Sequence, residues 1–408
     1  MSASIDPTTT TAPELGLPFA VLPPDESRRL VPALADTPSA DVWVWEYTHP
    51  SAGWTLSIAT HAPPGSGKIS LGGFRIAPDD RASAPGYSNA SEAIGLAMGM
   101  EEKIRWSRLI HAGGPLAQRN LHRLVGGKCV LLPTAGARVG QSRDVELLTF
   151  AAQALNQFEQ DSGIHVTTGQ DLGHGTMHDG VTPSLTFLHE RFRGSVLADT
   201  SKPTGEGNWR LLRGMLRALG VDMTHARVGL VGVGNIGEHV LRRLRDEGVE
   251  CIALEASVAK RAVLEAEGVR TGEPGALMAF LAQPVDATVV NARGGTLSLA
   301  ACDVIARNAR VRAVCGCENL VMPDERGADL LRAAGKIYAP TEFGGMMGYL
   351  TAVEEYLARI EGQRFEVAAL FGAADRLEVA GLEATSRVRA GGYTESFAHA
   401  VEAIYPES

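Results

Sequence analysis

Residues Arg227–Glu255 read RVGLVGVGNIGEHVLRRLRDEGVECIALE, and no other stretch limits the fold so strongly. Val228 to Val231 is a short apolar run that predicts a buried strand, and Gly232-Val-Gly234-Asn235-Ile236-Gly237 follows it with glycine at three set places. In a dinucleotide-binding turn the first glycine permits the tight bend, the second lets the backbone approach a pyrophosphate, and the third lets helix and strand pack closely. Val240, Leu241 and Leu244 then recur at helical spacing against Arg242, Arg243, Arg245 and Asp246, and Gly248 ends that helix before a second apolar run, Cys251 to Leu254. A helix opening there offers unpaired N–H groups and the positive end of its dipole to phosphates. Glu255 lies eighteen positions after Gly237. An acid at that distance accepts hydrogen bonds from an adenosine ribose and repels a 2′-phosphate, so NAD is expected ahead of NADP. Lys260 and Arg261, a few residues on, are the cations to watch for the opposite preference.

A chain of 408 residues exceeds what one hydrophobic core usually serves, so two α/β domains are expected. Its 45% hydrophobic and 21% charged residues are those of a globular protein, and a net charge of −9 gives no electrostatic footprint for nucleic acid or an anionic membrane. No apolar run approaches the length of a membrane span, and the first residues lack the basic-then-apolar order of a secretory signal. Five cysteines without a CxxC pair fit a reducing compartment, so a cytoplasmic location is expected. Of 38 basic residues only six are lysine. Against that arginine-rich background, a lysine in a glycine-rich or apolar setting suggests a position where arginine fails, because only lysine can be pushed by burial to release its proton near neutral pH.

Two such lysines stand out. Lys103 follows Ala93, Leu96, Ala97 and Met100 on one face of a helix predicted over Ser91–Arg108, and Lys128 follows Gly126-Gly127 at the mouth of the apolar run Cys129 to Leu132. Before them, residues 41–47 and 54–59 alternate as strands across a turn, and Leu71-Gly-Gly73-Phe-Arg75 is part of a third. After them, Asp144–Phe158 is predicted helical, and Asp171 ends the strand that begins at Ile164. Thr200 to Gly207 reads as a break before a helix over Asn208–Leu219. His174 and His178 have helical i, i+4 spacing, but His and Asp near turns are common and no metal site is expected.

Taken in order, Lys103, Gly126-Gly-Lys128, Asp171 and Gly232-Val-Gly-Asn-Ile-Gly237 resemble the glutamate/leucine/phenylalanine/valine dehydrogenase family, nearest its leucine-type branch. Leu71-Gly-Gly-Phe-Arg75, Gly99-Met-Glu-Glu-Lys103, Thr204-Gly-Glu-Gly207, Gly316-Cys-Glu-Asn319 and Gly335-Lys-Ile-Tyr-Ala-Pro340 extend the likeness over roughly residues 40 to 360. The resemblance implies NAD-dependent oxidative deamination of an L-amino acid to its 2-oxo acid, or the reverse, in a homo-oligomer. A doubly wound Rossmann-type domain is expected at 200–345 and a substrate and oligomerisation domain at 25–199. Residues 1–24, rich in Ser, Thr and Pro, are expected to be an unstructured tail. Since Met346 to Ile360 reads as a helix, a helical segment at 346–408 is expected to return to the substrate domain across a cleft. The resemblance further implies that Lys103 pairs with the substrate α-carboxylate, Lys128 is general base for water, and Asp171 shuttles protons to and from the amine. Gly73, Met100, Asn319 and Met346 would contact substrate; Thr204, Asn291 and Asn319 would join Gly232, Gly234, Asn235, Ile236, Gly237 and Glu255 at the cofactor.

Two departures from the family stand beside these matches. Twenty-four residues separate Lys103 from Lys128, about twice the family's gap, and the excess, with Arg108, His111, Gln118 and Arg119, is expected beside the substrate cavity. Where the family has an Asn-Ala-Gly-Gly stretch, this chain reads Phe343-Gly-Gly-Met346-Met347-Gly, so methionines are expected in the side-chain wall and the substrate cannot be carried over. An imine or 2-oxo reductase that has lost water attack, and a non-catalytic NAD sensor, remain as alternatives.

Overall fold

The computed structural model describes residues 16–31 and 41–406. Its first half is a six-stranded mixed sheet of β1 (Phe19–Leu22), β2 (Trp43–Thr48), β3 (Thr55–Thr60), β4 (Ile69–Ile76), β5 (Leu124–Leu132) and β6 (His165–Gln170), in the order β1-β2-β3-β5-β4-β6. β1, β2, β3 and β5 pair antiparallel in succession, whereas β4 runs parallel to both β5 and β6. One face carries an aromatic core, with Trp45, Tyr47, Phe74, Phe150 and Phe158 packed beneath the Asp144–Ser162 helix. The other face receives the 22-residue Asn89–Ile110 helix, which lies on β3 and β5. Gly126 allows that approach: a Cβ there would sit 2.4 Å from the Glu101 backbone nitrogen.

Six parallel strands form the second sheet: β7 (Arg227–Val231), β8 (Glu250–Leu254), β9 (Arg270–Gly272), β10 (Ala287–Val290), β11 (Ala313–Gly316) and β12 (Ile337–Tyr338). Their order, β12-β11-β10-β7-β8-β9, is the doubly wound Rossmann arrangement, which reverses direction between β7 and β10. Ligands in such sheets sit at that switch point, beyond the carboxyl ends of the strands.

Between the two sheets lies the Met346–Ile360 helix, which packs on the Asn89–Ile110 and Ser201–Ala218 helices and on β4 and β6. The Ser201–Ala218 helix begins seven residues before its expected start at Asn208. Gly205 and Gly207 do not break it but serve close packing, since a Cβ on them would fall 2.7 Å from His239 Cβ and 2.6 Å from Met347 Cγ. Residues 16–24, expected in an unstructured tail, are also ordered in part: β1 pairs with β2, and Phe19 stacks on Trp45 with ring centroids 5.5 Å apart. The remainder of that expected tail lies outside the described residues.

Candidate active site

At the switch point, each glycine of the turn meets a different constraint. Gly232 has φ +88° and a Cβ on it would lie 2.7 Å from the Asn291 carbonyl oxygen; a Cβ on Gly237 would lie 2.2 Å from the Gly232 carbonyl oxygen. Only hydrogen fits either place. Around Gly234, by contrast, nothing lies within 4 Å of an added Cβ, so the backbone is open to approach. Gly234 also precedes the Asn235–Asp246 helix, whose first turn no side chain caps. Glu255 follows β8 and accepts from the Val233 N–H and the Ser257 N–H, both at 2.8 Å, so its carboxylate is held against the glycine turn. Lys260 is paired with Glu238, and Arg261 donates to the Glu255 and Ala256 carbonyls at 2.7 and 3.0 Å. Beyond β10, the Asn291 side-chain oxygen accepts from Asn208, the Cys317 N–H and the Cys317 thiol, while its buried Nδ2 has no partner among the described residues. Open glycine backbone, an uncapped helix start and an orphaned amide donor fit the phosphates and polar rim of a dinucleotide.

The turn faces the first sheet across a cavity of about 340 Å³. Gly73 and Lys128 reach it from β4 and β5, Asp171 from the end of β6, and Met100 and Lys103 from the Asn89–Ile110 helix. Thr204, Gly234, Asn235, Ile236, Gly237, Asn291 and Asn319 line the opposite side. Gly232, at the start of the turn, and Glu255, behind it, do not line the cavity but hold the turn's shape.

Lys128 is 4% exposed and its ammonium is ion-paired with Asp171. Burial pushes the Lys128 pKa down; the adjacent Asp171 opposes this, and the buried Arg75 guanidinium assists it. Arg75 grips Asp171 from the other side, through Nη2 at 3.2 Å and Nε at 3.3 Å, and the Leu172 N–H donates to the same carboxylate at 2.7 Å. Although burial alone would raise it, Lys128 and Arg75 hold the Asp171 pKa well below the usual carboxylate range. Gly73 makes room for the pair, since a Cβ there would lie 2.8 Å from Lys128 Nζ. Lys103, also buried, donates to Asn319 Oδ1 at 2.8 Å across the cleft. Burial lowers its pKa as well, against the attraction of Glu342.

Arg75 went unassigned by sequence reasoning, although a signal was present. Residues 71, 73 and 75 of a strand share one face, so the arginine of Leu71-Gly-Gly-Phe-Arg75 had to point where Gly73 opens the site. Tyr349 and Ala352 were also missed, and they line the cavity with Gly345 and Gly348. Met346 does not line it. That residue is fully buried and its sulfur accepts from Ser107 Oγ at 3.7 Å, which corrects the expected methionine wall.

The long segment between the lysines also lies away from the cavity, contrary to expectation. Arg108 donates to the Leu121 and Leu124 carbonyls, and Arg119 pairs with Glu361. Glu354 of the Met346–Ile360 helix accepts from the Leu116 and Ala117 N–H groups at 2.9 and 2.8 Å, so the insertion buttresses that helix from behind. His174 and His178 are taken up by Phe74, Ser184 and Asp144. Cys317 borders the cavity as a protonated thiol, its pKa pushed up to about 12 by burial.

Fold and site together define a two-domain α/β protein with a Rossmann-type nucleotide half facing a mixed-sheet half across a cleft. Residues 192–283 match the NAD-binding domain of the D-isomer specific 2-hydroxyacid dehydrogenases. Phenylalanine dehydrogenase from Caldalkalibacillus thermarum is 28% identical over 215 residues, which spans 50% of this chain and 56% of that protein. The crystal structure of L-tryptophan dehydrogenase from Nostoc punctiforme superposes with a TM-score of 0.59 at 17% identity, covering 92% of this chain and 97% of that one. A hetero-hexameric glutamate dehydrogenase from Thermus thermophilus gives 0.62 at 16% identity, covering 95% and 86%. The chain thus resembles the amino-acid dehydrogenase family, at the identity of a divergent relative. Among the described residues, no helix is long and apolar enough to cross a membrane.

Proposed function

We propose that the protein is an NAD-dependent dehydrogenase that deaminates an L-amino acid oxidatively to its 2-oxo acid, or runs the reverse reductive amination. One observation carries this: Lys103, Lys128 and Asp171, from a helix and two strand positions far apart in the chain, converge on one cavity opposite the glycine turn. Lys103 and the Asn319 amide bind the α-carboxylate and orient the α-carbon. NAD, when bound, supplies the hydride acceptor. Lys128, its proton affinity lowered by burial, accepts a proton from the water that adds to the iminium carbon. Asp171 then draws that proton from Lys128 and gives it to the nitrogen; as the C–N bond breaks and ammonia leaves, the hydroxyl proton passes to the now neutral Lys128 and the C=O bond forms. Thr204 and Asn291 hold the cofactor's polar edges. We assign the substrate and nucleotide halves to residues 25–199 and 200–345. Of the expected returning segment 346–408, the Met346–Ile360 helix returns to the first, whereas the Asp375–Ala390 helix packs on Ser201–Ala218 of the second, where Glu378 accepts from Arg213 and Arg217. Release of 1–199 and 346–408 as separate pieces on limited proteolysis would contradict that division. A cytoplasmic homo-oligomer is proposed on the resemblance and the five free cysteines, and a monomeric mass in light scattering would remove the assembly.

The substrate class follows from what remains of the lining. Leu71, Met100, Thr167, Gly169, Tyr349 and Ala352 carry no charge, and the Tyr349 hydroxyl is turned away to Ser107. An apolar side chain fits there, whereas a side-chain carboxylate lacks a cation and buries an unpaired charge at a cost of several kcal/mol. L-amino acids with large apolar side chains are therefore expected to exceed L-glutamate in kcat/KM by at least about a hundred-fold. Equal efficiency with glutamate would defeat the assignment.

Glu255 supports NAD over NADP, because its carboxylate already accepts from the turn and from Ser257, and Lys260 and Arg261 are committed elsewhere. Glu255→Ala is expected to narrow the ratio of kcat/KM for the two cofactors by about ten-fold or more. A wild-type protein that used both equally would overturn this.

A further inference from the structure

A continuous line of charged groups joins the Lys128–Asp171 pair to the far side of the cleft. Asp171 is held by Arg75, and Arg75 Nη1 donates to Glu92 Oε1 at 2.6 Å. The same Glu92 oxygen accepts from Arg81 Nη1 at 3.1 Å, while Tyr87 donates to its other oxygen at 2.7 Å. Arg81, on the short Asp79–Ala82 helix, then spends its second nitrogen on the nucleotide half: Nη2 donates to the Arg293 carbonyl at 2.5 Å. Gly294 gives it passage, with φ +114° and a hypothetical Cβ 2.8 Å from that Nη2. The receiving loop adjoins the site. It follows Asn291 and is fixed by Glu318, which accepts from the Ala292 and Thr296 N–H groups at 3.0 Å.

We propose that Arg81 is a positioning residue that latches the nucleotide half over the cleft and, through Glu92 and Arg75, aligns Asp171 with Lys128. Arg75 and Glu92 are almost fully buried, so they hold few alternative geometries; Arg81, with its side chain 30% exposed at the mouth, is the member able to let go. With the latch open, Glu92 loses one of its two guanidinium partners and Arg75 is free to shift along it. The Asp171 carboxylate then loses the grip that keeps it in reach of Lys128. Closure and alignment of the proton-transferring pair become one event. The catalytic consequence rests on the dehydrogenase function proposed above; the latch itself does not.

Arg81→Ala is expected to lower kcat by ten- to a hundred-fold, the range a small misplacement of reacting groups produces, with a smaller rise in the KM for amino acid, since Lys103 stays in place while Asn319 moves with the nucleotide half. Arg81→Lys should recover part of the loss by keeping one of the two contacts. In a Glu92→Gln background, Arg81→Ala should add little, because the connection is already cut. Small-angle scattering of the ligand-free protein should show a larger radius of gyration for Arg81→Ala than for wild type, with Arg81→Lys between them. Unchanged scattering would overturn the latch. Changed scattering with wild-type kcat, or full additivity with Glu92→Gln, would overturn the coupling. If wild type turned over no amino acid, the proposed function would fail, and the scattering comparison would still decide the latch.

Discussion

Lys128→Ala is expected to lower kcat by about three orders of magnitude or more while leaving NAD affinity almost unchanged, because the general base catalysis proposed for it contributes about 10²–10⁴-fold and the proposed dinucleotide site lies on the other half of the protein. Lys128→Arg should be nearly as inactive. The guanidinium keeps the charge next to Asp171 but cannot release its proton in the working pH range, so charge alone does not rescue the reaction. Arginine is also larger, and Gly73 leaves little room beside Nζ. Wild-type activity should rise with pH as the buried Lys128 loses its proton, below the pH at which an exposed lysine would do so. Near wild-type turnover by Lys128→Arg in steady-state assays would show that the base lies elsewhere.

Asp171→Asn is expected to damage both chemistry and folding. It removes the group proposed to return protons to the amine, an expected loss of about 10²–10⁴-fold in kcat. It also leaves Arg75 and Lys128 buried around an amide, and removing one member of a buried ion pair costs about 3–5 kcal/mol. That penalty should depend on pH in a stated direction. In the variant, the folded-state pKa of Lys128 lies below its unfolded value, so between the two the unfolded chain binds more protons than the folded one and unfolding free energy rises with pH. At lower pH Lys128 is charged in both states and the full penalty is felt. Denaturant melts of the variant against wild type across pH 6 to 10 check this; a gap that failed to narrow with rising pH would mean that Lys128 stays protonated in the fold.

The nucleotide half was legible because its signals are local. A strand, three glycines with steric reasons and an acid at a fixed distance sit within thirty residues, and the order of β7 to β12 follows from right-handed crossovers. The placement of Lys103, Lys128 and Asp171 in one cavity was anticipated from their order along the chain, which only the family resemblance could supply. The contacts that organise them were not legible. Arg75 meets Asp171 across 96 positions and Arg81 meets the Arg293 carbonyl across 212, and such pairs depend on strand register and domain approach. Met346 was misjudged for a different reason, that of helical phase. Gly345, Gly348, Tyr349 and Ala352 recur at three- and four-residue spacing and face the cavity, while Met346 turns to Ser107 and Met347 packs on Gly207. Residues 201–207 were misread as a break because glycine weakens a helix in isolation, whereas close contacts with His239 and Met347 require it here.

The reaction proposed for this cavity interconverts an amino acid and a 2-oxo acid with NAD. It is tested most directly by mixing the purified protein with NADH and a 2-oxo acid bearing a large apolar side chain, with and without ammonium, and following NADH absorbance while identifying the product. Consumption that requires ammonium and yields the L-amino acid in equal amount is the predicted result. Consumption without ammonium, yielding a 2-hydroxy acid, or no consumption by a protein that binds NADH, would contradict it.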